Sequence, residues 1–361
     1  MQIFNFRSKN KSSDKKIKSV GYAILAALLY GISSPVSKIL LVEVSPTLMA
    51  ALLYLGAGIG MLGVNLLQIL LKQNKSEAKI TSKELPFVVA MIVLDILAPI
   101  FLMLGLTMTT SANASLLNNF EIVATTLIAL FIFKETIGNR MWIAIGLITL
   151  SSMMLSLSDY SSLSFSIGSL FVLLACISWG FENNCTRMLS IKDPLQIVVI
   201  KGFGSGIGSL IVSFIMNDLR FNYLYLVYAL ILGFVAYGMS IFLYIKAQRE
   251  LGAARTSAFY ATAPFIGVVI SWIVLREPIT LIFIFALIVM LFGTYFAVSE
   301  LHRHQHMHHK ETHDHKHNHN DDHHNHTHDF EVSGDHSHEH THENLEHSHS
   351  HLPDLHHRHS H

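Results

Sequence analysis

The sequence predicts an all-α integral membrane protein: ten transmembrane helices arranged as two inverted five-helix repeats. Three observations predict it. The 361-residue chain is 51% hydrophobic but only 14% charged, where a soluble domain carries roughly 25% charged residues. Its apolar runs are about 20 residues long, the length that crosses a bilayer as a helix, and not short alternating segments of a barrel. The third is internal repetition. Ser111 to Glu135 has a second copy at Ala253 to Glu277. With a shift of 142, Ala112 falls on Ala254, Ser115 on Ser257, Lys134 on Arg276 and Glu135 on Glu277.

Taken in order, the first 19 residues form a basic tail (Arg7, Lys9, Lys11, Lys15, Lys16, Lys18). The apolar run after it is too long for a cleavable signal core and lacks a small-x-small site, so it reads as the first membrane helix. Helices are expected over about 20–41, 46–71, 86–106, 111–133, 138–157, 166–189, 194–216, 223–246, 253–275 and 279–299. The repeats therefore occupy 20–157 and 166–299, helices 1–5 and 6–10. Tyr30-Gly31 aligns with Trp179-Gly180, Lys38 with Arg187, Pro46 with Pro194, and Gly56, Gly58 and Gly60 with Gly204, Gly206 and Gly208. An odd number of helices per half turns the second half upside down. The Gly-x-Gly-x-Gly runs lie inside membrane helices and follow no strand, so they suit close helix packing and not a nucleotide loop.

Basic residues set the orientation. Lys and Arg crowd the N-tail, 72–83, 134–140, 187–192 and 246–255; on the other side only Arg220 and Arg276 occur. Both termini are expected in the cytoplasm, with the protein multi-pass in the plasma (inner) membrane. Cys176 and Cys185 share one helix and read as small helix residues.

The helix pattern, the penultimate helix of each half ending in a basic-Glu pair (Lys134-Glu135, Arg276-Glu277), Tyr30-Gly31 through Lys38, Trp179-Gly180 through Arg187, and the Ser-Ala-Asn-Ala and Gly-Ala-Ala-Arg openings of helices 4 and 9 resemble the drug/metabolite transporter superfamily, specifically its EamA-type members. The resemblance covers about residues 20–299 and not the tail beyond. It implies a secondary carrier, often an exporter of amino acids or other small metabolites. A cavity lined by helices of both halves goes with it, and neither an enzyme nor a required cofactor.

Three carboxylates fall at membrane depth: Asp95, Glu121 and Glu182. An ionised carboxylate there costs about 2.5–3.5 kcal/mol on insertion scales, so each should face a cavity, bind a proton or have a partner, with Lys201 available as one. Ser111, Ser115, Asn118 and Glu121 follow at spacings of four, three and three, one stripe down helix 4; it faces a cavity or another helix. Trp179 with Glu182 and Asn183 can hold an amine, or merely pack. Tyr30, its repeat mate, stands with Ser33 and Ser34; Pro35 and Pro264 are positioned to break their helices. Tyr237 aligns with Asp95 across the repeat. Tyr260 completes the expected solute path.

All 24 histidines lie at or after His302, mostly as His-x-His with interspersed acids. Residues 300–361 have no apolar periodicity and are expected to be disordered without a ligand. His302, His304, His306, His308, His313, His315, His317, His319, His336, His338, His340 and His342 are candidate ligands for Zn, Ni, Co or Cu. Expected partners are the lipid bilayer, a small solute, divalent metal ions and, through the acids, coupling protons; no nucleic acid is expected. Two other readings are a divalent-metal exporter fed by the tail and a non-transporting metal sensor. The helices contain no His and no spaced acid pair, which favours the metabolite carrier.

Overall fold

The computed structural model describes residues 2–71, 78–132, 137–159, 164–189, 192–251, 256 and 259–299, and in the tail 303–308, 311–317, 336–342 and 345–350; side chains of 2–16, 158–159, 164–165, 248–251 and the tail lie outside the description. Lys134, Glu135 and every predicted histidine ligand are therefore outside it as side chains.

Helices occupy all ten expected places. Helix 1 is Gln2–Gly31 continued by Ser33–Leu40, helix 2 Pro46–Leu70 and helix 3 Leu85–Met108. Helix 4 is Ser111–Leu117 and Phe120–Phe131, helix 5 Asn139–Ser156, helix 6 Ile167–Arg187 and helix 7 Pro194–Ile215. Helix 8 is Tyr223–Leu232 and Ser240–Leu251 joined by a π-helical stretch, Gly233–Met239. Helix 9 contains Ala263–Ile270 with a π-helical end, Ser271–Leu275, and helix 10 is Leu281–Val298. Among the described residues seven spans are long and apolar enough to cross a membrane, helices 1–4, 7, 8 and 10. Helices 5, 6 and 9 are shorter or more polar. Helix 6 carries Glu182, Asn183, Asn184 and Arg187, which lower its apolar character; Glu182 and Asn184 are buried within the bundle.

Packing shows the repeat and its inversion together. Helix 2 packs on helix 7, helix 4 on helix 9 and helix 5 on helix 10, each helix against its own repeat mate. Helix 3 packs on helix 6 and helix 8 on helix 1, contacts that are mates of one another; helix 2 also packs on helix 8 and helix 4 on helix 6. In each self-pair the chains run in opposite directions. A Cβ on Gly202 would meet Gly58 and one on Gly206 would meet Leu55. Ser111 bonds Ser271 while Ser115 lies beside Gly267. Ser151 donates to the Ala286 carbonyl while Gly293 lies against Ile148. Equivalent helices that run antiparallel belong to inverted halves.

The glycines bear out their packing role. Gly56 and Gly60 sit against Leu230 and Phe234 of helix 8; their mates Gly204 and Gly208 sit against Ile92 and Ile96 of helix 3. Between apolar helices in lipid there is no hydrophobic drive, so close approach and van der Waals contact supply the association. Outward, Leu66, Leu70, Phe214, Ile215, Leu281 and Phe285 are exposed, a surface suited to acyl chains.

The loops pair symmetrically too. On one side Ser45 N–H donates to the Arg220 carbonyl (2.9 Å) and Thr47 Oγ1 to Asp218 Oδ2 (2.7 Å). On the other, Asp193 N–H donates to the Ala78 carbonyl (2.8 Å) and Ile80 N–H to Gln196 Oε1 (2.9 Å). A short antiparallel hairpin, Leu157–Asp159 with Ser164–Phe165, links the halves. In the tail, where the sequence predicts no order, the backbone of Arg303–His308 pairs with Leu345–Ser350 and that of Glu311–His317 with His336–His342.

Candidate transport site

Breaks in the helices bring polar groups to the middle of the bundle. Helix 1 is interrupted at Ile32, three residues before Pro35, and helix 9 turns at 261–262, just before Pro264. A proline removes the N–H that would bond four residues back, so both breaks follow the expectation. Helix 4 breaks at Asn118 and Asn119 with no proline, at the repeat mate of the helix 9 turn. The break divides the predicted stripe. Ser111 and Ser115 face helix 9 through Ser271 (3.0 Å) and Gly267. Asn118 and Glu121 face helix 6: Cys176 Sγ approaches the Asn118 carbonyl, and Asn183 Nδ2 donates to Glu121 Oε1 at 2.6 Å. The buried hydroxyl of Ser115 has no hydrogen-bond partner among the described residues.

Asp95 and Glu182 meet on one lysine. Lys201 Nζ lies 3.0 Å from Asp95 Oδ2 and 2.9 Å from Glu182 Oε1. Tyr54 donates its phenol proton to Asp95 Oδ1 at 2.7 Å, and Thr186 Oγ1 donates to Glu182. Asp95 is fully buried, Glu182 2% exposed and Lys201 7%. Asp95 belongs to the first half, Glu182 and Lys201 to the second, so the ion pair crosses the seam between the halves.

Tyrosines continue from this cluster. The Tyr54 ring is 5.3 Å from Tyr237, which is 5.9 Å from Tyr30, which is 5.6 Å from Tyr260; Tyr244 lies 4.9 Å beyond. Ser33 Oγ donates to the Tyr237 hydroxyl at 3.4 Å, and Tyr237 sits on the π-helical stretch of helix 8, a local widening frequent at functional positions. Ser34 is buried beside Ser33, and Trp179 is buried in the main core. The structure thus gathers Tyr30, Ser33, Tyr237 and Tyr260 into one group and Asp95 with Glu182 into a second, joined by Tyr54. Sequence reasoning did not single out Tyr54 or Thr125, which takes a 3.3 Å bond from Asn183. Tyr54 lies seven residues from Met61 in an apolar run and carried no polar neighbour to mark it.

The chain also matches the EamA-like transporter family model over residues 17–157 and again over 166–299, one match per half. The chain belongs to the EamA-like transporter family. It is similar to an uncharacterized transporter of Methanothermobacter thermautotrophicus, 29% identical over 288 residues, 75% of this chain and 83% of that one. A chain of known crystal structure overlays it with TM-score 0.58 at 14% identity, covering 78% of this chain and 95% of the other, a likeness of fold. As an EamA-like chain this is a multi-pass membrane transporter and not an enzyme; its working partners are the bilayer and a small solute. Among the described residues no three of His, Cys, Asp and Glu converge as metal ligands.

One end of this EamA-like bundle is clasped. Glu277 accepts the N–H groups of Ser111 (2.7 Å) and Ala112 (2.8 Å) at the start of helix 4. Lys38 donates to the carbonyls of Leu106 and Thr109 (2.8 Å for the latter) at the end of helix 3. Opposite charges thus complement the two helix ends that meet in the 3–4 turn. The helix-end role read for Glu277 is realised across the seam, with the preceding Arg276 in the left-handed region (φ 52°). Glu277→Ala is expected to cost about 1–2 kcal/mol. Amide exchange at Ser111 and Ala112 should then rise about five- to thirty-fold, while amides of helix 10 remain unchanged.

Proposed function

We propose that this transporter carries a small metabolite, an amino acid, an amine or a similar solute, across the plasma membrane by alternating access and in the export direction. The observation that carries the reading is the set of acids at membrane depth, buried Asp95 and Glu182 and half-buried Glu121, lying beside tyrosines at the seam of two inverted halves. Such halves can rock about a fixed central site, and an ionisable group at membrane depth is costly enough to mark a solute or proton path by default. Both termini are cytoplasmic in this reading, as the Lys and Arg distribution favours, and protons drive export through the acids. The histidine tail binds Zn, Ni, Co or Cu and serves as buffer or regulator.

Flux in reconstituted vesicles tests it, comparing the full chain with one ending at Glu300. Zinc, nickel and cobalt are offered beside a panel of amino acids and amines. Metabolite flux that survives truncation, needs Glu121 (at least a tenfold loss in Glu121→Gln) and responds to an imposed pH gradient is the expected result. Metal flux abolished by Glu121→Gln would instead make this a metal exporter with the tail as its collector. Flux of neither kind would leave a membrane metal sensor.

A further inference from the structure

Two buried acids, Asp95 and Glu182, and a half-buried third, Glu121, share the centre of this bundle with one buried amine, Lys201. Among the described residues Glu121 accepts from the neutral amide of Asn183, which also donates to Thr125; Asp95 and Glu182 share the ammonium of Lys201. A buried carboxylate that loses its cation is costly, because nothing in the interior replaces the lost water. Lys201 therefore satisfies a need that any other cation entering the site would satisfy equally. It is also tethered: its backbone is fixed in helix 7 at Gly202, where a Cβ would meet Gly58 and the Tyr54 carbonyl, so only the side chain can move. Its two acids differ. Glu182 sits on helix 6 of the same half and is steadied by Thr186. Asp95 sits on helix 3 of the other half and is reached from Tyr54, whose ring opens the row of phenols to Tyr237, Tyr30 and Tyr260. Aromatic faces attract organic cations and carry no charge of their own.

We propose that Lys201 is the resident counter-ion of the transport site, holding Asp95 in the empty carrier until the ammonium group of a transported amine displaces it. Lys201 then keeps Glu182 alone, and the bridge across the seam passes from the protein's own side chain to the solute. This rests on the transporter reading above and narrows its substrate to solutes bearing a cationic nitrogen. It also explains how the empty carrier returns. With Lys201 on both acids neither carboxylate of the unloaded pair is left without a cationic partner, and the site can reorient without a second solute.

The test uses vesicles loaded with labelled tyramine, a small aromatic amine, and in parallel with 4-hydroxyphenylacetate, which replaces the amine by a carboxylate. Net efflux into empty buffer is compared with exchange against unlabelled tyramine. The native protein is expected to move tyramine and to move 4-hydroxyphenylacetate at least tenfold more slowly. Lys201→Gln, measured on protein that elutes as one folded species, should lose net efflux tenfold or more while exchange falls less than threefold. Lys201→Arg serves where the glutamine variant does not fold. The planar fork of arginine grips two carboxylates more firmly than an ammonium, so the KM for tyramine should rise tenfold or more. Equal loss of both modes in Lys201→Gln, or an unchanged KM in Lys201→Arg, would overturn the counter-ion role. Native flux of neutral or anionic solutes with none of tyramine overturns the inference and leaves the transporter reading intact. No flux of any solute removes both.

Discussion

Replacing Gly233 or Gly56 by alanine is expected to leave little folded protein, and by valine none. A Cβ on Gly233 would press on the carbonyl oxygen of Leu53, with the Leu53 carbonyl carbon and Cα each 2.7 Å away. A Cβ on Gly56 would press on the carbonyl oxygen of Leu230, with its carbon at 2.8 Å and Cα at 2.9 Å. The two glycines are the two faces of one crossing between helix 2 and helix 8. What each would meet is backbone, which has no rotamer by which to step aside. Overpacking typically costs about 1–3 kcal/mol, and here it also pries apart the helices that carry Tyr54 and Tyr237. Gly63 and Gly146 are the internal controls. Nothing lies within 4 Å of a Cβ at either, and alanine there gains up to about 1 kcal/mol of helix propensity. Size exclusion and thermal unfolding in detergent distinguish the cases. If Gly56→Ala elutes and melts like Gly63→Ala, the helix 2–helix 8 crossing is wrong as drawn.

Those glycines also mark how far the sequence could be read. The repeated Gly-x-Gly-x-Gly runs announced close helix approach, and their alignment at one shift announced two like halves. Which helix each glycine meets did not follow, because spacing along one helix fixes a face and not the neighbour on it. The same limit governs the site. Asp95, Glu121 and Glu182 stood out because charge is rare at membrane depth, and Lys201 was named as a possible partner. That Lys201 takes both Asp95 and Glu182 at once depends on the order of helices 3, 6 and 7 around the seam, a tertiary fact. The helix 4 stripe assumed an unbroken helix. Asn118-Asn119 offered no proline or glycine to signal a stop, yet the turn there sends Ser115 toward helix 9 and Glu121 toward helix 6. Tyr54 was hidden by its apolar surroundings. An aromatic residue in an apolar helix is ordinary core, and only the carboxylate on its hydroxyl gives it a further part.

Lys201→Met carries the second large expectation, on stability. The substitution removes the one cation between Asp95 and Glu182, both buried, and breaking a buried pair by deleting one partner costs about 3–5 kcal/mol. Tyr54 and Thr186 still donate to the orphaned acids, but a neutral donor does not compensate a charge. The apolar methionine should therefore lower the melting temperature by several degrees. Two added changes decide why. In Asp95→Asn/Glu182→Gln/Lys201→Met the same positions are filled at nearly the same volume with no charge to bury, and well-packed neutral replacements of buried ion pairs are often neutral or stabilising. This triple variant should recover most of the lost stability while losing amine transport. Recovery separates a charge effect from a packing effect, because the methionine is present in both proteins. Failure to recover would mean that the lysine stem, and not its ammonium, holds helix 7 in place. Asp95→Asn alone is the intermediate case: Lys201 keeps Glu182 and stability should change little, yet the ion pair across the seam is gone. Stability retained with transport lost in that variant would assign the Asp95–Lys201 contact to the working cycle and the Glu182–Lys201 contact to the fold.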